Sequence, residues 1–413
     1  MRVLYIHHLG VLGGASTSLL MLLREIAKRE TVHCRVLCAK GPYAEKLRAE
    51  GFEVHTIPIS GFYHLPGNTY RGFRWLLFLR ELGLLVPHIV ALMRHLRAFK
   101  PDLVHLNEAV LIPAALTCKF LHIPVVWHAR IVLDCCQRGI RRNMILKTMQ
   151  YAAQKVIAIS DDVRSDLVGV SAITVHNSVD LNRFNNRNQV ESSRKLSGLN
   201  PWDKTVTMVS RIDPIKGSYD FVKIAYLVKQ SIPNVKFIVA GGALRDKKYF
   251  KTIKGRIIKY LKLLEDRESI FKSQIATYGL ESDFLLLGEI SNIEQIYSAS
   301  DVIVFPSYLR SISRAALEAA AAGIPSIATT TTWNNDVIVH GKTGFLVPQG
   351  DVRAAAAAIS KILKDPGLQA EMGRNAWRHA LKFFDPEKNA EKVYALYRAL
   401  LYLSPSAQYR RKS

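Results

Sequence analysis

Residues Val302 to Thr329 read VIVFPSYLRSISRAALEAAAAGIPSIAT and pass from one apolar run through an alanine-rich centre to a second apolar run. The β-branched start predicts a buried strand, the alanines predict a helix, and Gly323 with Pro325 predicts a tight turn before a second strand. Two strands joined through a helix run parallel, because the helix carries the chain back to the same end of the sheet. The segment therefore predicts a β-α-β unit in a parallel sheet.

The same alternation of short apolar runs and helical segments continues in both directions, with one interruption. The interruption is a polar stretch from Asn185 to Asp203, rich in Asn, Ser and Arg, which predicts a linker between domains. Alternating strands and helices on each side of it predict two α/β domains, each with a doubly wound parallel sheet. The apolar runs are Val3–Ile6, Arg35–Ala39, Val54–Ile59, Asp102–Leu106, Val125–Ala129 and Lys155–Ser160 before the linker, and Val206–Ser210, Lys236–Gly241, Phe284–Gly288, Val302–Pro306, Ser326–Thr329 and Phe345–Pro348 after it.

The length of the chain, 413 residues, is enough for two or three domains with separate hydrophobic cores. The residues are 49% hydrophobic and 22% charged, which excludes the disordered and collagen-like classes of protein. The expected division is a first domain over residues 1–184, a linker over 185–203, a second domain over 204–384, a last helix over 385–403 and a basic tail over 404–413.

The net charge is strongly positive, +23, from 57 Lys and Arg against 34 Asp and Glu. Such an excess predicts an anionic partner, which could be nucleic acid, a lipid surface or a phosphorylated substrate. The five cysteines are an odd number without CxxC spacing, which favours buried free thiols in a reducing compartment. We find no secretory signal at the start of the chain and no apolar stretch of about 18 residues, because the nearest one, Leu82–Met93, contains Pro87 and His88.

A pair of cations marks the first candidate binding site. The run Met208–Gly217, MVSRIDPIKG, ends a predicted strand and opens a helix, with Arg211 and Lys216 five residues apart in the loop. Two cations beside the positive end of a helix suit a diphosphate, which Arg can contact through two N–H groups and Lys as a point charge. From spacing alone, the alternative of two solvated surface cations stays open.

A lone carboxylate stands in the alanine-rich helix. Small and apolar residues flank Glu318, so this helix should pack closely on the sheet and the carboxylate needs a partner there. The two hydroxyls of a ribose would be suitable partners. The alternative is a glutamate near the helix start that points into water.

These features and several further motifs resemble the family 4 glycosyltransferases, retaining enzymes with the two-domain GT-B fold. The resemblance extends over nearly the whole chain, and the order and spacing of the motifs are specific although no single motif is. The motifs are Gly13–Ser16, Trp127–Arg130, His176–Asp180 with Arg183 and Phe184, the Arg211 and Lys216 loop, Ala240–Gly242, Leu287–Gly288, Ser300–Ser307, Leu317–Ala319, Asp336 and Gly341–Val347.

The resemblance implies two Rossmann-like domains that face a central cleft, with the last helix crossing back to the first domain. It implies a hexosyltransferase that moves a sugar from a nucleotide-sugar donor to an acceptor with retention of configuration. In that reaction Arg211 and Lys216 would hold the donor diphosphate and stabilise charge on the leaving group, and Glu318 would bind the ribose. The sequence contains no Asp-x-Asp motif suited to bridging a metal to the diphosphate, so we expect neither a metal nor another cofactor.

The resemblance also implies site residues in the first domain. Gly13 and Gly14 lie in a loop that would approach the donor phosphates and the acceptor, where a side chain would obstruct the backbone. His128 matches a histidine near the reacting sugar. Its alternative is a histidine at a strand end that bonds to the backbone.

The second domain supplies the remaining donor contacts. Gly288 precedes the segment that resembles the base-binding one, so backbone groups around Glu289 and Ile290 should contact the base, and Arg314 is placed among the donor-binding residues. Arg310 stands eight residues before the ribose-binding glutamate, where the family usually has an acid that faces the donor sugar. The site could be inactive, the donor could differ, or the local alignment could be shifted. We favour a contact of Arg310 with the donor diphosphate or with the carboxylate of an acidic sugar.

The positive charge concentrates in two segments. Residues 69–147 hold twelve basic and four acidic residues, and cations there alternate with Trp and Phe at helical spacing. Such a helix could lie in a membrane interface, or it could be an ordinary helix with one core face. Residues 245–262 hold eight basic residues and one acidic residue, and predict an excursion at the rim of the cleft.

The partner that we favour is an anionic membrane surface. Nucleic acid is disfavoured, because the sequence has neither zinc-ligand spacing nor an RRM signature and the charge is spread over both domains. The preferred function is a cytoplasmic glycosyltransferase, peripheral on the inner face of the membrane, that acts on a lipid-linked or polysaccharide acceptor in cell-surface glycan or lipopolysaccharide biosynthesis. The alternatives are a GT-B isomerase of nucleotide-sugars and a family member that acts as a binding or scaffold protein; the oligomeric state is left open.

Overall fold

The structure, a computed structural model, describes most of the chain. The described residues are 1–61, 75–130, 132–133, 139–185, 193–194, 198–242, 252, 256, 265–309, 313–330 and 335–403. They divide into two compact units: unit 1 comprises the residues up to Ser178 and those from Phe384 on, and unit 2 comprises Val179–Phe383. Each unit contains a parallel sheet with helices between its strands, which confirms the predicted class of two doubly wound, Rossmann-like α/β domains.

The sheet of unit 1 has seven strands. Its strands are β1 Arg2–His7, β2 His33–Cys38, β3 Glu53–Thr56, β4 Leu103–Leu106, β5 Val125–Ala129, β6 Lys155–Ala158 and β7 Ala172–Thr174, and its helices are α1 Gly14–Ala27, α2 Pro42–Ala49, α3 Trp75–Phe99, α4 Ile112–Phe120, α5 Ile140–Ala152 and α6 Asp161–Asp166. The strand order is β3-β2-β1-β4-β5-β6-β7, and all neighbouring pairs are parallel. The order reverses between β1 and β4, so their carboxyl ends form the topological switch point.

Helices cover both faces of this sheet, so its central strands are buried on both sides. Four consecutive residues of β1, Val3 to Ile6, are completely buried, and the same holds for Val125 to Trp127 in β5. Parallel strands in such a position carry continuous apolar runs instead of alternating polar and apolar residues. This is the reason why the sequence pattern located these strands.

Helix α3 lies in the basic segment over 69–147, where the spacing of the aromatic residues predicted a helix. It runs from Trp75 to Phe99 and passes through Pro87. Gly83 and Pro87 both lie on the exposed side, so the Gly83 carbonyl that loses its partner at the proline can bond to water. The window Phe78–Phe99, with a mean hydropathy of 1.3 and 22% of it buried, is long and apolar enough to cross a membrane by length and composition. The window is not an uninterrupted apolar run, because it contains charged residues such as Glu81, and it meets this test through its average hydropathy.

Unit 2 has a six-stranded sheet. Its strands are β8 Lys204–Val209, β9 Val235–Ala240, β10 Phe284–Gly288, β11 Val302–Phe305, β12 Ser326–Thr329 and β13 Gly344–Val347, and its helices are α7 Leu181–Phe184, α8 Ser218–Ser231, α9 Arg267–Thr277, α10 Ile293–Ser298, α11 Arg314–Ala322, α12 Val352–Lys364 and α13 Pro366–Phe383. The strand order is β10-β9-β8-β11-β12-β13, with parallel pairing throughout and a switch point between β8 and β11. The β-α-β unit predicted over Val302–Thr329 is β11, α11 and β12.

The division between the units precedes the predicted domain end at residue 184. Helix α7 belongs to unit 2, where the ring of Phe184 meets the edge of Tyr297 at 5.4 Å between centroids and Arg183 pairs with Glu294 at 2.8 Å. Much of the predicted linker over 185–203 and most of the basic segment over 245–262 lie outside the described residues.

The last helix, α14 Pro386–Leu403, belongs to unit 1, as the resemblance implies. Its side chains pack on α1 and on the sheet. Glu391 pairs with Arg29 at 2.5 Å, and the buried Tyr397 hydroxyl lies 2.6 Å from Nδ1 of His105 in β4. The end of the chain therefore completes the core of the unit in which the chain begins.

Candidate functional site

The loop after β8 carries the predicted diphosphate-binding pair. β8 ends at Val209, one 3-10 turn follows at Pro214–Lys216, and Gly217 is the N-cap of α8, which begins at Ser218. Gly217 has a φ of 77°, and a Cβ at this position would lie 1.9 Å from the carbonyl oxygen of Pro306. Glycine is required here for both reasons, so the start of α8 packs directly on the backbone that follows β11.

Positive charge is concentrated at this helix start. The pKa of Lys216 is lowered, chiefly because burial desolvates its ammonium group and secondly because Arg211 lies nearby, while Asp213 acts in the opposite direction. Asp213 itself pairs with Arg267 and caps the 3-10 turn by accepting from the N–H of Ile215. Within the described ranges, neither Arg211 nor Lys216 has an ion-pair partner. Two neighbouring cations beside the positive end of a helix favour an anionic ligand.

The surroundings of the loop add a group that the sequence analysis missed. The hydroxyl of Ser218, the first residue of α8, is buried and has no hydrogen-bond partner in the part of the chain that the structure describes. The segment after β11 holds the loop in place, because the Tyr308 N–H donates to the Ile215 carbonyl at 2.9 Å and the Ser307 hydroxyl donates to it at 3.3 Å. A buried hydroxyl without a partner at a helix start is a candidate ligand contact. The position of Ser218 directly after Lys216 and Gly217 could have indicated it.

Glu318 lies in a closed environment in unit 2. Its side chain is 14% exposed, the Tyr297 hydroxyl donates to Oε2 at 3.0 Å, and Nε of Arg314 lies 3.2 Å from Oε1. Burial raises the pKa of Glu318, although Arg314 and the Tyr297 hydrogen bond act in the opposite direction. The alternative of a water-exposed glutamate is therefore wrong. The structure supplies two protein partners that the sequence analysis did not assign to this carboxylate.

The other predicted donor contacts of unit 2 lie at the carboxyl edge of the same sheet. Gly288 ends β10 with a φ of 67°, Glu289 is exposed and Ile290 is half-buried. The carboxyl ends of parallel strands share one edge, so these residues lie at the edge that also carries Arg211. Arg310 lies outside the described residues.

In unit 1, Gly13 and Gly14 form the start of α1. Gly13 has extended backbone, and its N–H donates to the hydroxyl of Ser16 at 2.7 Å. A Cβ on either glycine would meet no atom within 4 Å among the described residues. The space in front of this loop is therefore open, and the role of the loop toward donor phosphates stays a prediction.

His128 lies buried near the end of β5. Burial lowers its pKa well below the ordinary value, and the charges of Arg130 and His105 add to this effect. Nδ1 accepts from the Arg130 guanidinium at 3.3 Å, so the neutral ring carries its proton on Nε2, which has no partner among the described residues. Among the described residues, the His128 side chain makes no hydrogen bond to the backbone, which disfavours the alternative of a histidine held by the backbone.

Polar residues that the sequence analysis did not select surround His128. Arg130 donates to the side-chain oxygens of Asn107 at 2.6 Å and Asn177 at 2.5 Å. Burial raises the pKa of Glu108 to about 7, although its hydrogen bond from the Ala109 N–H at 2.8 Å favours the charged form. Asn107, Glu108 and Arg130 follow β4 and β5 next to the switch point of unit 1, where parallel α/β sheets bind ligands, and Asn177 follows β7. These residues are far apart in the sequence, so the sequence pattern did not predict that they form a cluster.

The predictions about metal binding and free thiols can be compared with the described residues. There it contains no group of three or more His, Cys, Asp and Glu residues able to hold a metal ion. Cys34, Cys38 and Cys118 carry free thiols, and the last two are buried. Cys135 and Cys136 lie outside the described residues.

Comparison with known families gives two matches that together span most of the chain. Residues 12–183 match the model of Glycosyltransferase Family 4, and residues 189–379 match the model of Glycosyl transferases group 1. The capsular polysaccharide biosynthesis glycosyltransferase CapM of Staphylococcus aureus is 26% identical over 267 residues, which cover 62% of this chain and 64% of the relative. The lipopolysaccharide core biosynthesis mannosyltransferase LpsB of Rhizobium meliloti is 25% identical over 321 residues, 73% of this chain and 84% of the relative. The match to CapM thus spans slightly less than two thirds of that relative.

Solved structures extend the similarity over nearly the whole chain. Anabaena Alr3699/HepE, crystallised with UDP, is 20% identical with a TM-score of 0.77 over 97% of this chain and 100% of that chain. WaaG, a glycosyltransferase involved in lipopolysaccharide biosynthesis, is 15% identical with a TM-score of 0.64 over 95% and 99%. At these identities the likeness shows the fold, which is that of the GT-B glycosyltransferases. Together with the two family matches, it shows that the chain belongs to the family 4 glycosyltransferases.

Proposed function

We propose that the protein is a retaining glycosyltransferase with a nucleoside diphosphate-sugar donor, and that Arg211 and Lys216 hold the diphosphate. The observation that carries this proposal is the surplus of positive charge at the start of α8, where Lys216 lies partly buried near Arg211 beside the unsatisfied hydroxyl of Ser218. A diphosphate would balance both cations and accept hydrogen bonds from the hydroxyl and from the helix start. The crystal structures of HepE with UDP and with UDP-glucose support this ligand class.

In the proposed reaction, the bond between the sugar C1 and the diphosphate oxygen breaks. A bond from C1 to the acceptor hydroxyl oxygen forms on the same face, and the hydroxyl proton passes to the departing diphosphate. Negative charge grows on the diphosphate as its bond breaks, so Arg211 and Lys216 stabilise the transition state more than the bound donor. In unit 1, we propose that the Nε2–H of His128 donates to a hydroxyl of a bound sugar.

Equilibrium binding tests the donor class and the metal-free character of the site together. Two protein cations supply the charge that a metal ion would otherwise supply, so we expect binding without added metal. UDP-glucose and GDP-mannose are titrated calorimetrically into the protein with and without EDTA. We expect at least one of them to bind with a Kd that EDTA leaves unchanged. Binding of neither would contradict the donor class, and loss of binding in EDTA would contradict the metal-free site.

We propose further that the acceptor is a lipid-linked precursor of a cell-surface glycan. Relatives named for capsular polysaccharide and lipopolysaccharide core biosynthesis support this class of acceptor. A third relative, from Escherichia coli, is named as a galactosyltransferase acting on a sugar linked to diphosphoundecaprenol and is 27% identical over 226 residues. A lipid-linked acceptor requires the enzyme to reach a membrane surface.

An outward-facing apolar strip on α3 supports contact with a membrane. The strip, which we call the α3 strip, recurs every three or four residues and is 42% to 67% exposed; it consists of Leu76, Leu79, Leu82, Val86 and Val90. A surface helix of a water-soluble domain normally turns its polar face outward. An exposed apolar face of this size favours an apolar partner.

The opposite face of α3 is held to unit 1 by polar contacts. The buried Glu81 carboxylate accepts from the Gly61 N–H at 2.8 Å and pairs with Arg80 at 2.8 Å, and Nδ1 of His88 lies 3.0 Å from the Pro58 carbonyl oxygen. A membrane-crossing position would break these contacts and place a carboxylate in lipid. We therefore propose that α3 lies along the membrane surface, with the enzyme peripheral on the cytoplasmic side.

Neighbouring groups fit an anionic bilayer. Helix α4 packs beside α3 and adds the exposed Leu116 and Phe120, and α5 adds the exposed Tyr151. The cations Arg94 and Arg97 are exposed on α3 itself. Apolar side chains flanked by cations are typical of surfaces that bind anionic lipid interfaces.

Vesicle flotation tests the α3 strip. We expect the wild type to float with vesicles that contain anionic lipid. We expect Val86→Glu to weaken this binding about tenfold, because it removes a valine that the lipid would bury and adds a negative charge. Val168→Glu is the matched control, since Val168 is 65% exposed in the same unit but lies outside the strip. Equal weakening by both substitutions, or salt-sensitive DNA binding by a wild type that does not float, would contradict the membrane proposal.

A further inference from the structure

The ion pair between Arg314 and Glu318 is placed where it contributes little to the stability of α11. Arg314 is the first residue of α11, where the positive end of the helix disfavours a cation. The pair has i,i+4 spacing with the cation first, which is the less favourable order in a helix. The side chains are 22% and 14% exposed, so desolvation adds a further cost. The arrangement indicates that the pair does something other than hold the helix.

The charged groups that face the Glu318 carboxylate come from three helices. From α10, the Tyr297 hydroxyl donates to Oε2 at 3.0 Å, and Glu294 opposes ionisation. From α7, Arg183 favours ionisation. Burial is the largest influence and favours the neutral acid, and Arg314 on α11 is the largest influence in favour of the charged form. The charge state of Glu318 therefore depends on Arg314 more than on any other side chain around it.

The two contacts also fix where the carboxylate can accept further hydrogen bonds. A carboxylate has about four acceptor positions on its two oxygens. Tyr297 occupies one on Oε2 and Arg314 occupies one on Oε1, so each oxygen keeps acceptor capacity for a ligand. A protonated acid would turn one oxygen into a donor and would lose part of that capacity.

We propose that Arg314 is a positioning residue for the donor ribose: its guanidinium keeps the Glu318 carboxylate charged and oriented, so that each carboxylate oxygen can accept one ribose hydroxyl. The inference rests on the proposed function, because it takes the ligand to be a nucleotide-sugar. Asp180, which caps α7, lies near enough to Arg314 for its charge to favour the charged guanidinium. Arg314 acts through Glu318 and does not itself contact the ribose.

The test is the pH dependence of UDP-glucose binding, or of GDP-mannose binding if that donor binds more tightly, in the wild type and in Arg314→Gln. Nucleotide-sugars suit this test, because their diphosphate is esterified at both ends and keeps its charge between about pH 6 and about pH 8.5. Without Arg314 the pKa of Glu318 rises further, so the carboxyl group takes up a proton as the pH falls. We expect the affinity of Arg314→Gln to fall about tenfold for each pH unit below that pKa. Wild type and Arg314→Lys should change by less than about threefold over the same range.

Three further variants make the result specific. Combining Arg314→Gln with Glu318→Gln removes the titrating group, so the pH dependence should disappear. Lys272→Gln breaks an exposed i,i+4 pair with Glu268 in the same unit and should behave like the wild type. Arg314→Met, which keeps the apolar stem and removes the charge, carries the same expectation as Arg314→Gln and replaces it if the glutamine variant does not fold.

The outcomes separate this inference from the proposed function on which it rests. If Arg314→Gln weakens nucleotide-sugar binding by the same factor at about pH 6 and about pH 8.5, Arg314 has a structural role only and the inference is overturned. A wild type that binds no nucleotide-sugar would overturn the donor assignment itself. Circular dichroism at about pH 6 and at about pH 8.5 checks that each variant in the comparison is folded.

Discussion

Lys216→Ala is expected to lower the turnover number for release of the nucleoside diphosphate at least tenfold, equivalent to about 1.4 kcal/mol of transition-state stabilisation. The lysine lies partly buried beside Arg211, so its charge acts on the ligand with little screening by water. The negative charge on the diphosphate is greatest as the sugar departs, so kcat should fall more than the donor affinity. Steady-state kinetics with the donor identified by calorimetry measures both quantities.

Lys223→Ala provides the matched control for this substitution. Lys223 lies on the same helix, α8, where it pairs with Asp220 at 3.2 Å and is 48% exposed, so its replacement should leave kcat near the wild-type value. A Lys216→Ala enzyme with near-normal kcat would contradict the assignment of this loop to the diphosphate.

Gly217→Ala is expected to destabilise unit 2 by about 3 kcal/mol or more and to abolish detectable donor binding. The φ of 77° is strained for alanine, and the new Cβ would fall 1.9 Å from the Pro306 carbonyl oxygen, so the start of α8 must move. That movement displaces Lys216 and the helix N–H groups together. Thermal unfolding and nucleotide titration measure the two effects.

Gly279→Ala isolates the backbone strain from the clash. Gly279 has a φ of 66° in the same unit, but a Cβ there would meet no described atom within 4 Å. Its replacement should cost about 1 kcal/mol and leave donor binding intact. Equal destabilisation by the two substitutions would mean that the contact with Pro306 does not position the loop.

The sequence predicted the sheets because strands buried on both faces carry continuous apolar runs. The limits of β5, β10 and β12 agree with the predicted runs Val125–Ala129, Phe284–Gly288 and Ser326–Thr329. The strand β7, Ala172–Thr174, was missed, because it is a short, half-buried strand at the edge of its sheet and leaves no such run. The sequence pattern indicated a helix in the region of α3 without giving its limits, and the helix continues through Pro87 because this residue is exposed.

The candidate site was predictable where its residues are close in sequence. Arg211 and Lys216 share one loop, so their spacing predicted a candidate anion site, with two solvated surface cations as the alternative. The contacts of Glu318 were not predictable, because Tyr297 lies on another helix and its approach depends on how α10 packs beside α11. The i,i+4 spacing of Arg314 and Glu318 could have predicted their pairing, but it could not show how deeply the pair is buried.

Glycosyl transfer is best tested by the rate at which nucleotide-sugars release a nucleoside diphosphate in the presence of membrane lipids from a glycan-producing cell. We expect the wild type to release the diphosphate from at least one donor and to transfer its sugar to lipid. A variant with Arg211→Ala and Lys216→Ala should do so at least about tenfold more slowly. Conversion of the donor into an isomeric nucleotide-sugar without diphosphate release, or equal rates in the wild type and the double variant, would contradict the proposed transferase activity.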